Sequence, residues 1–129
     1  MPAFNPLTDS SVLLARLGRH SGLVVVCYCA AWCNTCAQYQ KDFNKLAEKW
    51  PEHTFVWVDI EESPELLGDE DIETFPTISM QSTSANVFFG TLQPYIDHLD
   101  RLISHAGNPA QAIKGGPPLL RRLLTPAAQ

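Results

Sequence analysis

Cys33 and Cys36 stand two residues apart in the run Trp32-Cys33-Asn34-Thr35-Cys36, directly after the apolar stretch Leu23-Val24-Val25-Val26-Cys27-Tyr28-Cys29. Two thiols at this spacing can carry out disulfide exchange. A strand that delivers Cys33 to the first turn of a helix places its sulfur among unpaired backbone N–H groups at the positive end of the helix dipole, where a negative charge is stabilised. The thiolate is the attacking form, so Cys33 is the expected nucleophile. Residues three apart are neighbours on a helix, so Cys36 is placed to attack the mixed disulfide on Cys33 and release the reduced substrate. The same pair of cysteines can also form half of a zinc site, and the spacing alone leaves both chemistries open.

The elements that must hold these thiols follow an α/β order. Thr8 or Asp9 can cap a first helix whose Val12, Leu13, Leu14 and Leu17 form an apolar side, ending near Gly18. The strand over 23–29 is continuously apolar, as suits a central parallel strand covered on both faces. From Cys33 to Lys49, the residues Cys36, Tyr39, Phe43, Leu46, Ala47 and Trp50 recur at helical spacing, and Pro51 follows the end. A strand over 54–60 leads into an irregular acidic connection over 63–74. A hairpin of 77–80 and 87–89 comes next, followed by a last helix marked by Leu92, Ile96, Leu99, Leu102 and Ile103. There is no internal repeat.

Three elements in this order resemble the thioredoxin family over about residues 8 to 105. A Trp precedes the cysteine pair, as in the family's Trp-Cys-x-x-Cys site. Phe75-Pro76-Thr77 is similar to the family's cis-proline loop, in which the backbone before the proline binds extended substrate against the cysteines. Gly90 resembles the glycine after the last strand that lets substrate approach. The resemblance implies a thioredoxin fold, a central mixed β-sheet flanked by helices, in a single α/β domain over 1–105 with a tail over 106–129. It implies a thiol–disulfide oxidoreductase with Cys33 and Cys36 catalytic and with Trp32, Phe75, Pro76, Thr77 and Gly90 binding substrate. No bound cofactor is implied. The electrons would come from NADPH through a thioredoxin reductase, and the protein would serve cell redox homeostasis.

The chain departs from that family at positions bearing on proton transfer. Where the family keeps a buried Asp beneath the resolving cysteine, this chain has Cys27, and where it often has a Lys near the next strand's start, it has Phe55. With that relay missing, Cys36 needs water, Cys27 or a substrate group as proton acceptor, and resolution should be slow. Asn34-Thr35 replaces the Gly-Pro usual between the cysteines, and Lys41 replaces the proline that kinks the following helix.

Cys27 and Cys29 lie on one face of their strand by period-two alternation, and the family resemblance implies that Cys27 points toward Cys36. Free cysteine packs well as a small hydrophobe, so inert filling is one reading. An auxiliary redox role for Cys27 and Cys29, with Cys27 forming an alternative bond to Cys36, is another. The order Cys27-x-Cys29-x-x-x-Cys33-x-x-Cys36 also supplies four thiolates for a metal, but a buried strand does not readily turn its side chains onto one centre, and no metal is expected.

Composition narrows the function classes. A chain of 129 residues with 45% hydrophobic content and net charge −5 suits one compact soluble domain with a short appendage. Its nine Lys and Arg form no basic block, which excludes an electrostatic footprint for nucleic acid. The run over 23–33 is too short to span a bilayer, and the first residues lack a charged start and an apolar core, so a cytoplasmic monomer is expected. In that reducing compartment the cysteines are expected to be reactive or buried rather than a structural disulfide framework.

Other residues resolve mainly to structure. His20, His53, His98 and His105 are scattered and read as surface positions, and Trp50 and Trp57 read as core. Trp32, beside the nucleophile, can cover the disulfide and contact substrate. Asp69, Glu70, Asp71 and Glu73 precede Pro76 and are either a solvated face or a steering field for basic partners. In the tail, Leu119-Leu120-Arg121-Arg122-Leu123-Leu124 is a terminus lying on its own domain or a partner-docking segment. Two alternatives to the enzyme remain: a non-enzymatic binding module using Trp32, Phe75 and the tail, and a Cys-ligated metal-holding protein.

Overall fold

The computed structural model describes residues 3–5, 9, 11–13, 15, 23–30, 34–62, 76–82, 86–91 and 95–106. Strand β1, Val24–Cys29, is followed by helix α1, Asn34–Lys49, and strand β2, Thr54–Asp59. The hairpin β3, Thr77–Gln81, and β4, Asn86–Thr91, precedes helix α2, Ile96–Ala106. The strands form one mixed sheet in the order β2-β1-β3-β4, with β1 parallel to β2 and antiparallel to β3. Helix α2 runs one residue past the boundary at 105. The acidic connection over 63–74 and the tail beyond Ala106 lie outside the described residues.

The sheet order makes β1 internal, and all six of its residues are buried. Their alternation divides two apolar layers. Val25, Cys27 and Cys29 pack with Tyr39, Phe43 and Leu46 of α1 and Leu99 and Ile103 of α2. Val24, Val26 and Tyr28 pack on the other face with Leu13, Val56 and Val58. A strand buried on both faces gains no stability from polar positions, which is why the run is uninterrupted in sequence. Phe4 extends the sheet beyond β2: its N–H donates to the Phe55 carbonyl and its carbonyl accepts from the Trp57 N–H, at 2.8 and 2.9 Å.

Local expectations are refined in three places. Residues 11–13 and 15 are helical, with Leu13 fully buried, but Val12 is 52% exposed and does not share that apolar side. The Asp9 carboxylate accepts the Asn5 N–H at 2.8 Å, tying it to the residues before the helix. His53 is not a simple surface residue, because its Nδ1 accepts the Leu23 N–H at 3.0 Å just where β1 begins.

Helix α1 runs unbroken past Lys41, burying Cys36, Tyr39, Phe43, Leu46 and Ala47. Its end is closed by His53 N–H donating to the Trp50 carbonyl at 3.0 Å, and Pro51 prevents continuation. Trp50 and Trp57 are half-buried rather than core. The Trp50 indole donates to Asp100 Oδ1 at 2.9 Å, and the Lys49 ammonium meets the other oxygen at 2.5 Å, joining α1 to α2.

Candidate functional site

The site forms where β1 ends and α1 begins. Cys29 is the last residue of β1, on the strand face covered by α1, and Cys36 lies within the first turn of α1 on its buried side. Their sulfurs are joined in a disulfide with a Cα–Cα separation of 5.8 Å. The C-x-x-C spacing and the family resemblance point instead to Cys33 or Cys27 as the partner of Cys36. Cys29 has the place because the pleat sends it to the same face as Cys27 but one pair of residues nearer the helix start. Both bonded residues are almost wholly buried, at 1% and 2% exposure.

Cys27 is a free thiol with no exposed surface, and its Sγ lies 3.9 Å from that of Cys29. A disulfide sulfur has no proton, so in this state Cys27 is the donor and Cys29 the acceptor. Burial pushes the Cys27 thiol well above its ordinary pKa, because no charged group offsets the cost of a thiolate there. Cys27 therefore does not serve as a ready base for Cys36. The register places Trp57 across from Cys27 and Phe55 across from Val25, so the aromatic neighbour on this strand is Trp57, not Phe55.

Aromatic packing fixes the helix under the disulfide. Phe43 meets Phe55 at 5.3 Å and Trp57 at 5.7 Å between ring centroids, while Tyr39 stacks on Phe43 at 6.4 Å. Tyr39, one turn beyond Cys36, has its phenol pushed above the usual range, first by burial and then by Cys27 and Asp42.

A cleft of about 270 Å³ opens beside this cluster, lined by Ala30, Cys36, Ala37, Trp57, Asp59 and Glu62 among others. It gives Cys36 a route to solvent and brings two carboxylates to the same space. Asp59 and Glu62 are functional candidates that sequence reading missed. The register carries the signal, since Asp59 ends β2 directly beside Cys29.

Of the other expected site residues, Pro76 is buried immediately before β3, one step beyond the Tyr28–Thr77 pair and alongside the Cys29 end of β1. Thr77 opens β3, with its hydroxyl 3.4 Å from that of Thr91. Gly90 lies within β4 rather than after it, paired with Ile78. A Cβ there would meet only the Phe88 ring at 3.5 and 3.9 Å, an ordinary contact. Trp32, Cys33 and Phe75 lie outside the described residues. Among the described residues no group of three or more His, Cys, Asp or Glu side chains could hold a metal ion, and no helix is long and apolar enough to cross a membrane.

Comparisons with known proteins agree with this architecture. The chain is 27% identical to a thioredoxin of Ophiophagus hannah over 81 residues, covering 63% of this chain and 75% of that one. It is 30% identical to thioredoxin H5 of Oryza sativa subsp. japonica over 74 residues, 57% of this chain and 55% of that one, so it spans little more than half of that relative's length. The Fasciola hepatica thioredoxin structure superposes with a TM-score of 0.64 at 22% identity, covering 81% of this chain and 97% of that one, which establishes the thioredoxin fold. The family model for thioredoxin matches residues 9–94, which take in all four strands of the sheet, helix α1 and the disulfide. On these matches and this geometry, the chain belongs to the thioredoxin family.

Proposed function

We propose that the protein is a thiol–disulfide oxidoreductase that reduces disulfides in protein substrates, with Cys33 as nucleophile and Cys36 as resolving thiol. The observation that carries this reading is the buried disulfide sulfur of Cys36, held in the first turn of α1 in a chain of this family. The Cys33 thiolate attacks a substrate sulfur, and a mixed disulfide forms as the second substrate sulfur leaves. Cys36 then attacks Cys33, loses its proton and frees the reduced substrate.

The proton from Cys36 has an exit. Cys27 is buried and turned to Cys29, whereas the cleft at Cys36 offers water and the carboxylates of Asp59 and Glu62. Pro76 and Thr77, at the Cys29 end of the sheet, would position the substrate strand, with Trp32, Phe75 and Gly90 completing the surface. The resting electron donor would be a thioredoxin reductase fed by NADPH, with no cofactor bound to this chain, and the protein would work as a cytoplasmic monomer.

Reduction of insulin disulfides tests the reading. Wild type should precipitate the insulin B chain in the presence of a dithiol donor, and Cys33→Ser should not. In reduced protein at neutral pH, brief iodoacetamide treatment should label Cys33 ahead of Cys36. Equal labelling would reverse or dissolve the assigned roles. A chain that keeps the fold only as a binding module would leave insulin intact.

A further inference from the structure

We propose that Cys29 is a second resolving thiol, so that Cys36 exchanges between Cys33 and Cys29 and the oxidised chain is held as a buried Cys29–Cys36 disulfide. This rests on the reading of Cys33 and Cys36 as the exchange pair. Three features carry it. The Cα atoms of Cys29 and Cys36 are 5.8 Å apart, inside the range that closes a disulfide without backbone movement. The pleat of β1 and the buried stripe of α1 bring both sulfurs into one core layer. The Cys27 thiol, 3.9 Å from Cys29, is a hydrogen-bond donor already in place for the sulfur that must carry negative charge when this bond opens.

The exchange balances without any outside reagent. The Cys29 thiolate attacks Cys36 in the Cys33–Cys36 disulfide; the Cys29–Cys36 bond forms, the Cys33–Cys36 bond breaks, and Cys33 leaves as thiolate. The proton that Cys29 released is matched by the one Cys33 regains, and the chain stays oxidised by the same pair of electrons. In reverse, the Cys33 thiolate attacks Cys36 and Cys29 departs, stabilised by the Cys27 S–H.

The positions of the two bonded residues give the isomer its consequence. At 1% and 2% exposure, the Cys29–Cys36 disulfide is shielded from bulky reductants except through the cleft at Cys36. The isomer also returns Cys33 to the thiol state while the protein remains oxidised. Cys33 can then join a substrate in a mixed disulfide that Cys36 is not free to resolve, so the oxidised chain would hold substrates rather than release them.

Disulfide mapping of the full chain decides the matter. Chymotrypsin cuts after Tyr28, Trp32 and Tyr39, which separates Cys29 from Cys36. Cys33→Ser keeps three of the four cysteines. Treated with oxidised glutathione and quenched in acid, it should fall to one free thiol, with the Cys29 peptide joined to the Cys36 peptide. Capture of Cys36 as a glutathione adduct with Cys29 still open to alkylation would overturn the proposal. If that variant does not fold, oxidised wild type answers the same question: a Cys29 peptide linked to residues 33–39 with Cys33 alkylated supports it, and a fully alkylated Cys29 overturns it. Insulin reduction by wild type without any Cys29 linkage would remove this proposal and leave the oxidoreductase reading intact. A Cys29 linkage in a chain inert to insulin would be a static bond, which overturns both.

Discussion

The Cys27 thiol donates to the Cys29 sulfur across 3.9 Å of solvent-free core, so the one free cysteine among the described residues is fixed to the disulfide rather than to solvent. Its environment has a thermodynamic signature. Cys27 keeps its proton in the folded chain far above the pH at which an unfolded thiol ionises. The raised folded-state pKa means its stabilising contribution is complete below the unfolded value and is lost as pH rises beyond it. The unfolding free energy from urea titration should therefore fall above about pH 9, by up to about 1.4 kcal/mol per pH unit for this group. Burial of Tyr28 and Tyr39, whose phenols are also pushed up, should steepen the loss above pH 10. Cys27→Val should remove the first phase and leave the second.

Cys27→Asp tests the proton relay that the chain lacks. A carboxylate in a site with no exposed surface should cost several kcal/mol, on the order of the penalty for an unpaired buried polar group, and should itself be neutral in the folded state at mild pH. Its raised pKa makes the variant most stable at acid pH and progressively weaker as pH climbs past about 4 toward the folded value. Stopped-flow resolution of a mixed disulfide on Cys33 should exceed the wild-type rate only as pH rises through that folded value, where the ionised carboxylate is present to take the proton from Cys36. An unchanged rate in folded protein would mean that proton removal from Cys36 is not limiting.

Asp59 lines the cleft with Cys36 and ends the strand paired to Cys29. Asp59→Asn combined with Glu62→Gln should slow resolution on the order of tenfold, less than the 10²–10⁴ typical of a dedicated catalytic base because water shares the cleft. Added formate or acetate should restore part of the rate. A variant with full speed would leave water as the acceptor.

Asp100 joins α1 to α2 through Lys49 and Trp50, and the Lys49 hydrogen bond holds its carboxyl below the ordinary value. A depressed folded-state pKa contributes stability above the unfolded value and loses it as pH falls through the folded one. Asp100→Asn should cost at most about 1 kcal/mol at neutral pH, because the ion pair is largely solvated and screened. The urea midpoints of variant and wild type should converge as pH drops below about 4.

Gly90→Ala separates backbone need from substrate need. The added Cβ makes only ordinary contact with Phe88, so melting should be unchanged or slightly raised. A higher KM for a protein disulfide, with a small disulfide reagent reduced as before, would mark this strand as part of the substrate surface. Equal KM values would leave Gly90 a plain strand residue.

Residue order alone determined a good deal of this protein. The uninterrupted apolar run before a C-x-x-C, the helical recurrence of Cys36, Tyr39, Phe43 and Leu46, and the hairpin after Pro76 were legible because burial imposes a period of its own on strand and helix. These local patterns were enough to expect the α/β order, while the mixed sheet and the family came from the resemblance carried by Trp32-Cys33-Asn34-Thr35-Cys36, Phe75-Pro76-Thr77 and Gly90. The partner of Cys36 was not legible in them. C-x-x-C spacing describes neighbours along one helix, whereas the Cys29–Cys36 bond crosses from the end of β1 to the start of α1 and depends on how the strand meets the helix. The same is true of Asp59, which comes to Cys29 only through the parallel register of β1 and β2, and of His53, whose ring nitrogen is set by the return of the chain to Leu23. Periodicity tells which face of an element is buried; only the tertiary structure decides which element covers it, and that choice fixes which sulfur lies within bonding distance of Cys36.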